Sequence, residues 1–114
     1  MGLQIIALTP EFAVSTQLSA SDFASVVAQG FTTVINNRPD GEGGGEQPTS
    51  PELQRAAQLV GLNYVYLPVV SGSITAAQVQ AMRNALASAS GPTLAFCRSG
   101  TRSAQLYGLA QSQD

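Results

Sequence analysis

The feature that most constrains this chain is a repeated handover from a short apolar run to a stretch with helical spacing. Phe31-Thr32-Thr33-Val34-Ile35-Asn36, Tyr64-Val65-Tyr66-Leu67 and Thr93-Leu94-Ala95-Phe96 are rich in β-branched and aromatic side chains, as buried strands are. Between them, apolar residues recur three and four apart. Leu53, Ala56, Ala57 and Val60 form one stripe, ended by Gly61, and Ser50 is its expected cap with Pro51 at the first helical position. Val79, Met82, Leu86 and Ala89 form another over Ala76 to Ala89, broken by Gly91-Pro92. Strands separated by helices need crossover connections and so pair in parallel, with helices on the faces. The expectation is an α/β fold: a mostly parallel central sheet of about four to five strands flanked by helices.

The first residues fit the same plan less closely. Ile5-Ile6-Ala7-Leu8 and Phe12-Ala13-Val14-Ser15 predict one or two short strands with a turn at Pro10. Ser19-Ala20-Ser21-Asp22 supplies caps for a helix through Phe23, Val26 and Val27 that Gly30 stops. Asn37 to Pro51, dense in glycine and proline, predicts a mobile loop without regular structure. It is either a solvated linker or an active-site lid, and it carries Asp40, Glu42 and Glu46. A chain of 114 residues, 44% of them hydrophobic, suits one domain spanning residues 1–114.

The strand Thr93 to Phe96 runs into the only cysteine: Cys97-Arg98-Ser99-Gly100-Thr101-Arg102-Ser103, with a helix expected from near Ser103. Turn amides and a helix N-terminus converging on one point make an anion cup, and the helix dipole adds positive charge there. A thiol at its mouth, with arginines beside it, is driven toward the reactive thiolate. Cys97 therefore reads as a nucleophile and Arg102 as the fork that grips the transferred group. A lone cysteine closing an apolar strand is more often a small core residue, but Arg98, Gly100 and Arg102 suit an anion and not a core. Arg98 is expected to point outward toward loop carboxylates, and Arg38 either to pair with an acid of its own loop or to bind substrate. Tyr64 and Tyr66 alternate with Val65 and Leu67 and read as strand packing.

Composition removes several chemistries. The chain has no histidine and no lysine, so imidazole bases, imidazole metal sites and Schiff-base lysines are excluded. One cysteine cannot build a zinc cage or an intramolecular disulfide, which fits a reducing compartment. A net charge of −2 gives no general attraction to nucleic acid or anionic membranes. The N-terminus from Met1 lacks the basic and apolar regions of a secretory leader, no stretch is long enough to span a membrane, and the tail from Gln111 to Asp114 offers no anchor. The expected location is the cytoplasm.

Three segments and the cysteine loop together carry a resemblance: Thr33-Val34-Ile35-Asn36-Asn37-Arg38-Pro39-Asp40-Gly41-Glu42, Tyr64-Val65-Tyr66-Leu67-Pro68-Val69, and Gly72-Ser73-Ile74-Thr75. Over nearly its full length the chain resembles the bacterial β-lactamase hydrolase-like, phosphatase-like domain family, whose fold is similar to that of tyrosine and dual-specificity phosphatases. The resemblance implies a cysteine-dependent phosphatase-like hydrolase without a cofactor or metal. Cys97 would form a phosphocysteine, Arg102 would hold the phosphoryl oxygens, and the amides of Arg98, Ser99, Gly100, Thr101 and Arg102 would stabilise their charge. Ser103 would hydrogen-bond the sulfur. The expected substrate is a small phosphorylated or sulfur-containing compound or a phosphoprotein, with no nucleic-acid or membrane partner.

The chain departs from tyrosine phosphatases in three ways. Four residues, not five, separate Cys97 from Arg102; Phe96 stands where those enzymes usually have histidine; and the loop Val69-Val70-Ser71-Gly72-Ser73 lacks their general-acid aspartate. Leaving-group protonation would then fall to Asp40, to Glu42 or to water, with Asp40 preferred because it lies nearer the strand end. The four-residue spacing also resembles small rhodanese-type sulfurtransferases, which carry a persulfide on the cysteine. The phosphatase-like reading is placed ahead because the strand order and the Arg38 to Glu42 segment match it. A module that keeps the cup but only binds anions is the remaining alternative.

Overall fold

A computed structural model describes residues 4–112; the expectations resting on Met1 to Leu3 and on Gln113 and Asp114 fall outside them. Strand β1 (Ile5–Thr9) turns at Pro10 into β2 (Phe12–Ser15), and a single 3-10 turn leads into α1 (Phe23–Ala28) and then β3 (Thr33–Asn36). After the glycine-rich loop come α2 (Ser50–Leu59), β4 (Asn63–Tyr66), α3 (Ala76–Ser88), β5 (Thr93–Phe96) and α4 (Thr101–Gln111).

The strands form one sheet in the order β1-β2-β5-β3-β4. Among the described residues only the β1–β2 pair is antiparallel. β5, the last strand in sequence, is therefore the central one, with Phe96 opposite Ser15 on one side and Asn36 on the other. Alternation along the strands sends Leu94 and Phe96 to one face and Ala95 to the other. The first face is covered by Phe23 and Val26 of α1 and by Leu53 and Ala57 of α2. Met82 of α3 and Leu106 and Ala110 of α4 cover the second. The crossovers thus change face between β4 and β5, and the carboxyl end of β5 opens where an α/β sheet places its ligands.

Four local expectations are corrected. Thr49, not Ser50, caps α2: its hydroxyl accepts from the Glu52 amide, and the Glu52 side chain accepts from the Thr49 amide at 3.0 Å. That reciprocal pair satisfies two orphan donors and so sets the boundary one residue earlier. Val60 lies beyond the end of α2 and is exposed, so the apolar stripe stops at Ala57. α4 begins at Thr101 and not near Ser103, because Gly100 adopts the left-handed conformation and serves as its cap. Finally, the glycine-rich segment is not without structure: Gly44–Glu46 forms a 3-10 turn, closed by the Gln47 side chain, which accepts from Gly43 N–H and donates to Pro39 C=O. Among the described residues no helix is long and apolar enough to cross a membrane.

Candidate active site

Cys97 sits where β5 ends, and the next residues fold back as the start of α4. Gly100 makes this possible with φ of +93°, a value at which other residues are strained. A Cβ there would come within 3.3 Å of the Ser15 carbonyl oxygen. The turn aims the Gly100 amide at the cysteine sulfur, 3.1 Å away. Burial pushes the Cys97 thiol up, but the Ser103 amide and hydroxyl and the Ser99 and Gly100 amides outweigh it and hold the thiol below its ordinary range. The cup expected from sequence is thus built around the sulfur.

Arg102, in the first turn of α4, is buried, and two neighbours fix its guanidinium. Nη1 and Nη2 donate to the two carboxylate oxygens of Glu42 at 2.8 and 3.1 Å, and Nη1 also donates to the Val69 carbonyl at 2.9 Å. These bonds use the end of the fork and its outer Nη1 proton. The remaining edge, formed by Nε and the second Nη2 proton, has no partner among the described residues, and Nε is buried there. A buried charged donor without a partner is costly unless something binds it.

Glu42 is held from two sides. Besides Arg102 it accepts from Arg38 Nε at 2.9 Å, and Arg38 Nη1 reaches Gln17 Oε1 at 3.1 Å. The Arg102 hydrogen bond is the largest influence and lowers the Glu42 carboxyl below its usual range; burial opposes it, and the Arg38 hydrogen bond adds to the lowering. Arg38, Glu42 and Arg102, with Gly43, Ser71, Arg98 and Ser99, line a polar cleft of about 560 Å³.

The loop is tied down at the far side by β4. Asp40 N–H donates to the Tyr66 hydroxyl at 2.9 Å, and Asp40 Oδ1 accepts from Ser50 N–H at 2.8 Å. The Tyr64 hydroxyl bonds Ser50 Oγ at 2.8 Å and accepts from Asn36 Nδ2 at 2.9 Å. Burial pushes the Tyr64 phenol up and keeps it protonated.

Of the residues singled out from sequence, Cys97, Ser99, Gly100, Arg102 and Ser103 are brought together, with Thr101 beside them bonded to Ser99 Oγ. Arg38 joins through Glu42 and so pairs with an acid of its own loop. Arg98 is exposed and faces the cleft without an ion pair among the described residues, contrary to the pairing expected for it. Asp40 is not brought to the cleft: its carboxylate is turned onto the start of α2. Sequence reasoning overlooked Asn36, Asn37 and Gln47 and gave the two tyrosines a packing role only. The available signal was Asn36-Asn37 itself, two amides continuing a buried apolar strand, where side-chain polar groups need partners.

Residues 4–114 match the family model described as "Beta-lactamase hydrolase-like protein, phosphatase-like domain". A β-lactamase hydrolase-like protein of Xylella fastidiosa is 38% identical over 98% of the chain, which spans only 26% of that relative. The crystal structure of a candidate phosphatase from Neisseria meningitidis superposes with a TM-score of 0.83 at 31% identity, covering 91% of this chain and 73% of that one. The core catalytic domain of the PP-IP phosphatase SIW14 of S. cerevisiae shares the fold, with a TM-score of 0.69 at 18% identity over 91% of this chain and 62% of its own.

Proposed function

The chain belongs to the family of β-lactamase hydrolase-like protein, phosphatase-like domains, and from that premise we propose that Cys97 is the nucleophile of a phosphoester hydrolase. The observation that carries this reading is the open Nε–Nη2 edge of Arg102 on the helix that starts from the loop of a buried thiol toward which amide donors point. A side-on guanidinium fork matches two oxygens of a tetrahedral oxyanion. Glu42 and Val69 hold the guanidinium by its other protons, so a substrate need not displace them.

In this reaction the Cys97 thiolate attacks phosphorus in line; the P–S bond forms as the ester P–O bond breaks, and the leaving oxygen takes the electron pair. Water then attacks the phosphocysteine, the P–S bond breaks, and inorganic phosphate and thiolate are restored. Gly100 and its neighbouring amides stabilise the equatorial oxygens. Glu42 is kept ionised by two arginines and Asp40 is turned to Ser50, so neither acts as the proton donor. The leaving group is protonated by water, which favours phosphoesters whose leaving groups are already acidic, such as aryl phosphates.

That same lack of a poised acid favours a second reading, sulfur transfer. A thiolate attacking the sulfane sulfur of thiosulfate forms a persulfide while the S–S bond to the sulfonate breaks and sulfite leaves with the electron pair. No proton is required, and thiosulfate offers the same oxygens to Arg102. The deciding assay runs wild type beside Cys97→Ser on p-nitrophenyl phosphate between about pH 4 and 8, then on thiosulfate with cyanide as acceptor. Cysteine-dependent phosphate release supports the first reading; cysteine-dependent thiocyanate formation without phosphate release supports the second. The absence of both overturns turnover at Cys97 and leaves anion binding.

A further inference from the structure

Asn37 follows β3 directly and is fully buried. Its backbone extends the sheet, donating to the Phe96 carbonyl at 2.8 Å and accepting from the Val69 amide at 3.0 Å. Its side chain serves something else. Nδ2 donates to the Leu67 carbonyl at 2.9 Å, and because a carbonyl only accepts, the orientation of the carboxamide is fixed. Oδ1 must then face the Ser103 hydroxyl, 2.8 Å away, and an amide oxygen also only accepts. The Ser103 hydroxyl is therefore the donor in that bond. It has one proton, yet that same hydroxyl is also among the donors that favour the Cys97 thiolate.

We infer that Asn37 is a positioning residue that competes with Cys97 for the single Ser103 proton. While the sulfur is neutral or carries a transferred group, the hydroxyl donates to Asn37. When the sulfur becomes a free thiolate, the hydroxyl swings to it and Oδ1 is left without its donor. Asn37 thus tempers the resting thiolate and keeps a donor in reserve for the moment sulfur leaves the transferred group. Its catalytic meaning rests on Cys97 being the reacting group; the competition itself does not. The charged groups facing this cleft are Arg98 and Arg102 on the cysteine's own loop and helix, and Arg38 and Glu42 from the loop after β3. β2 and the residues just after it bring only Ser15, Thr16 and Gln17, and the segment after β4 brings Val69, Val70 and Ser71, none of them charged.

The test is the pH dependence of Cys97 alkylation by iodoacetamide on the full chain. Asn37→Leu removes the competing acceptor, so the midpoint should fall by about half a pH unit or more. Ser103→Ala should raise it, and Asn37→Leu added to Ser103→Ala should move it no further. No shift in Asn37→Leu, or the same shift with and without Ser103, overturns the competition, since a merely structural asparagine is indifferent to that hydroxyl. Should Asn37→Leu not fold, the Asn37 carboxamide proton resonances are followed in wild type and Ser103→Ala through the thiol titration. A large movement at the thiol midpoint in wild type that shrinks in Ser103→Ala supports the switch, and equal movement in both overturns it. Both readouts follow the thiol and not turnover, so failure of the hydrolysis assay leaves this result legible.

Discussion

Replacing Arg102 by Lys keeps the charge and removes the fork. Charge-assisted hydrogen bonds contribute about 1.5–3 kcal/mol each, so affinity for sulfate or vanadate should fall by about tenfold or more in calorimetric titration. Wild-type affinity in that variant would refute the open-edge role. Glu42 supplies a second check through pH. Its folded value lies below the ordinary 4.5, so the ionised, paired form stabilises the fold above about 4.5, and that contribution is lost as the pH falls through the lower folded value. The difference in unfolding free energy between wild type and Glu42→Gln should accordingly stay constant from neutral pH down to about 4.5 and shrink below it. A difference that instead grows on acidification would mean that Glu42 is not held by the two arginines. The aspartate preferred from sequence for proton donation shows the limit of nearness along the chain. Asp40 does lie nearer the strand end, but its own amide and carboxylate are taken by Tyr66 and Ser50.

At the scale of elements, the decisive join is the one between β5 and α4. Gly100→Ala would force a Cβ to 3.3 Å from the Ser15 carbonyl at a backbone angle alanine rarely adopts. A cost of about 1–2 kcal/mol follows, lowering the melting temperature by roughly 5 °C or more. The strain should also move the Gly100 amide off the sulfur, so the alkylation midpoint of Cys97 should rise. Unchanged stability and thiol reactivity would show that the left-handed cap is dispensable. The loop from Asn37 to Thr49 is held from outside by β4 as well as by its own Gln47 and Arg38 side chains. Tyr66→Phe removes the hydroxyl that accepts from the Asp40 amide. Amide exchange over residues 40–47 should then quicken, while global stability changes by about 1 kcal/mol or less. Exchange at the wild-type rate would place the loop's restraint in the Arg38–Glu42–Arg102 cluster and the Gln47 bonds.

Across the whole molecule, the sheet brings residues from four separate stretches to one edge. Gln17 follows β2, Asn37 to Glu42 follow β3, Val69 follows β4, and Cys97 to Ser103 follow β5. Parallel strands make this unavoidable, because all of their carboxyl ends point the same way. The chain by itself determined the alternation of strand and helix, the two-faced burial of β3 and β5, the stop at Gly30 and the cysteine-loop-helix cup. Each of these depends on spacing or on intrinsic residue preference within a few neighbours. Only the tertiary structure decided which carboxylate meets Arg102, which way Asp40 turns and what the Asn36-Asn37 pair is for. Those choices depend on strand order, which placed β5 between β2 and β3 and so set Glu42 against an arginine sixty residues away in sequence. No local pattern encodes that meeting, because it is fixed by which strands lie side by side and so which carboxyl ends adjoin.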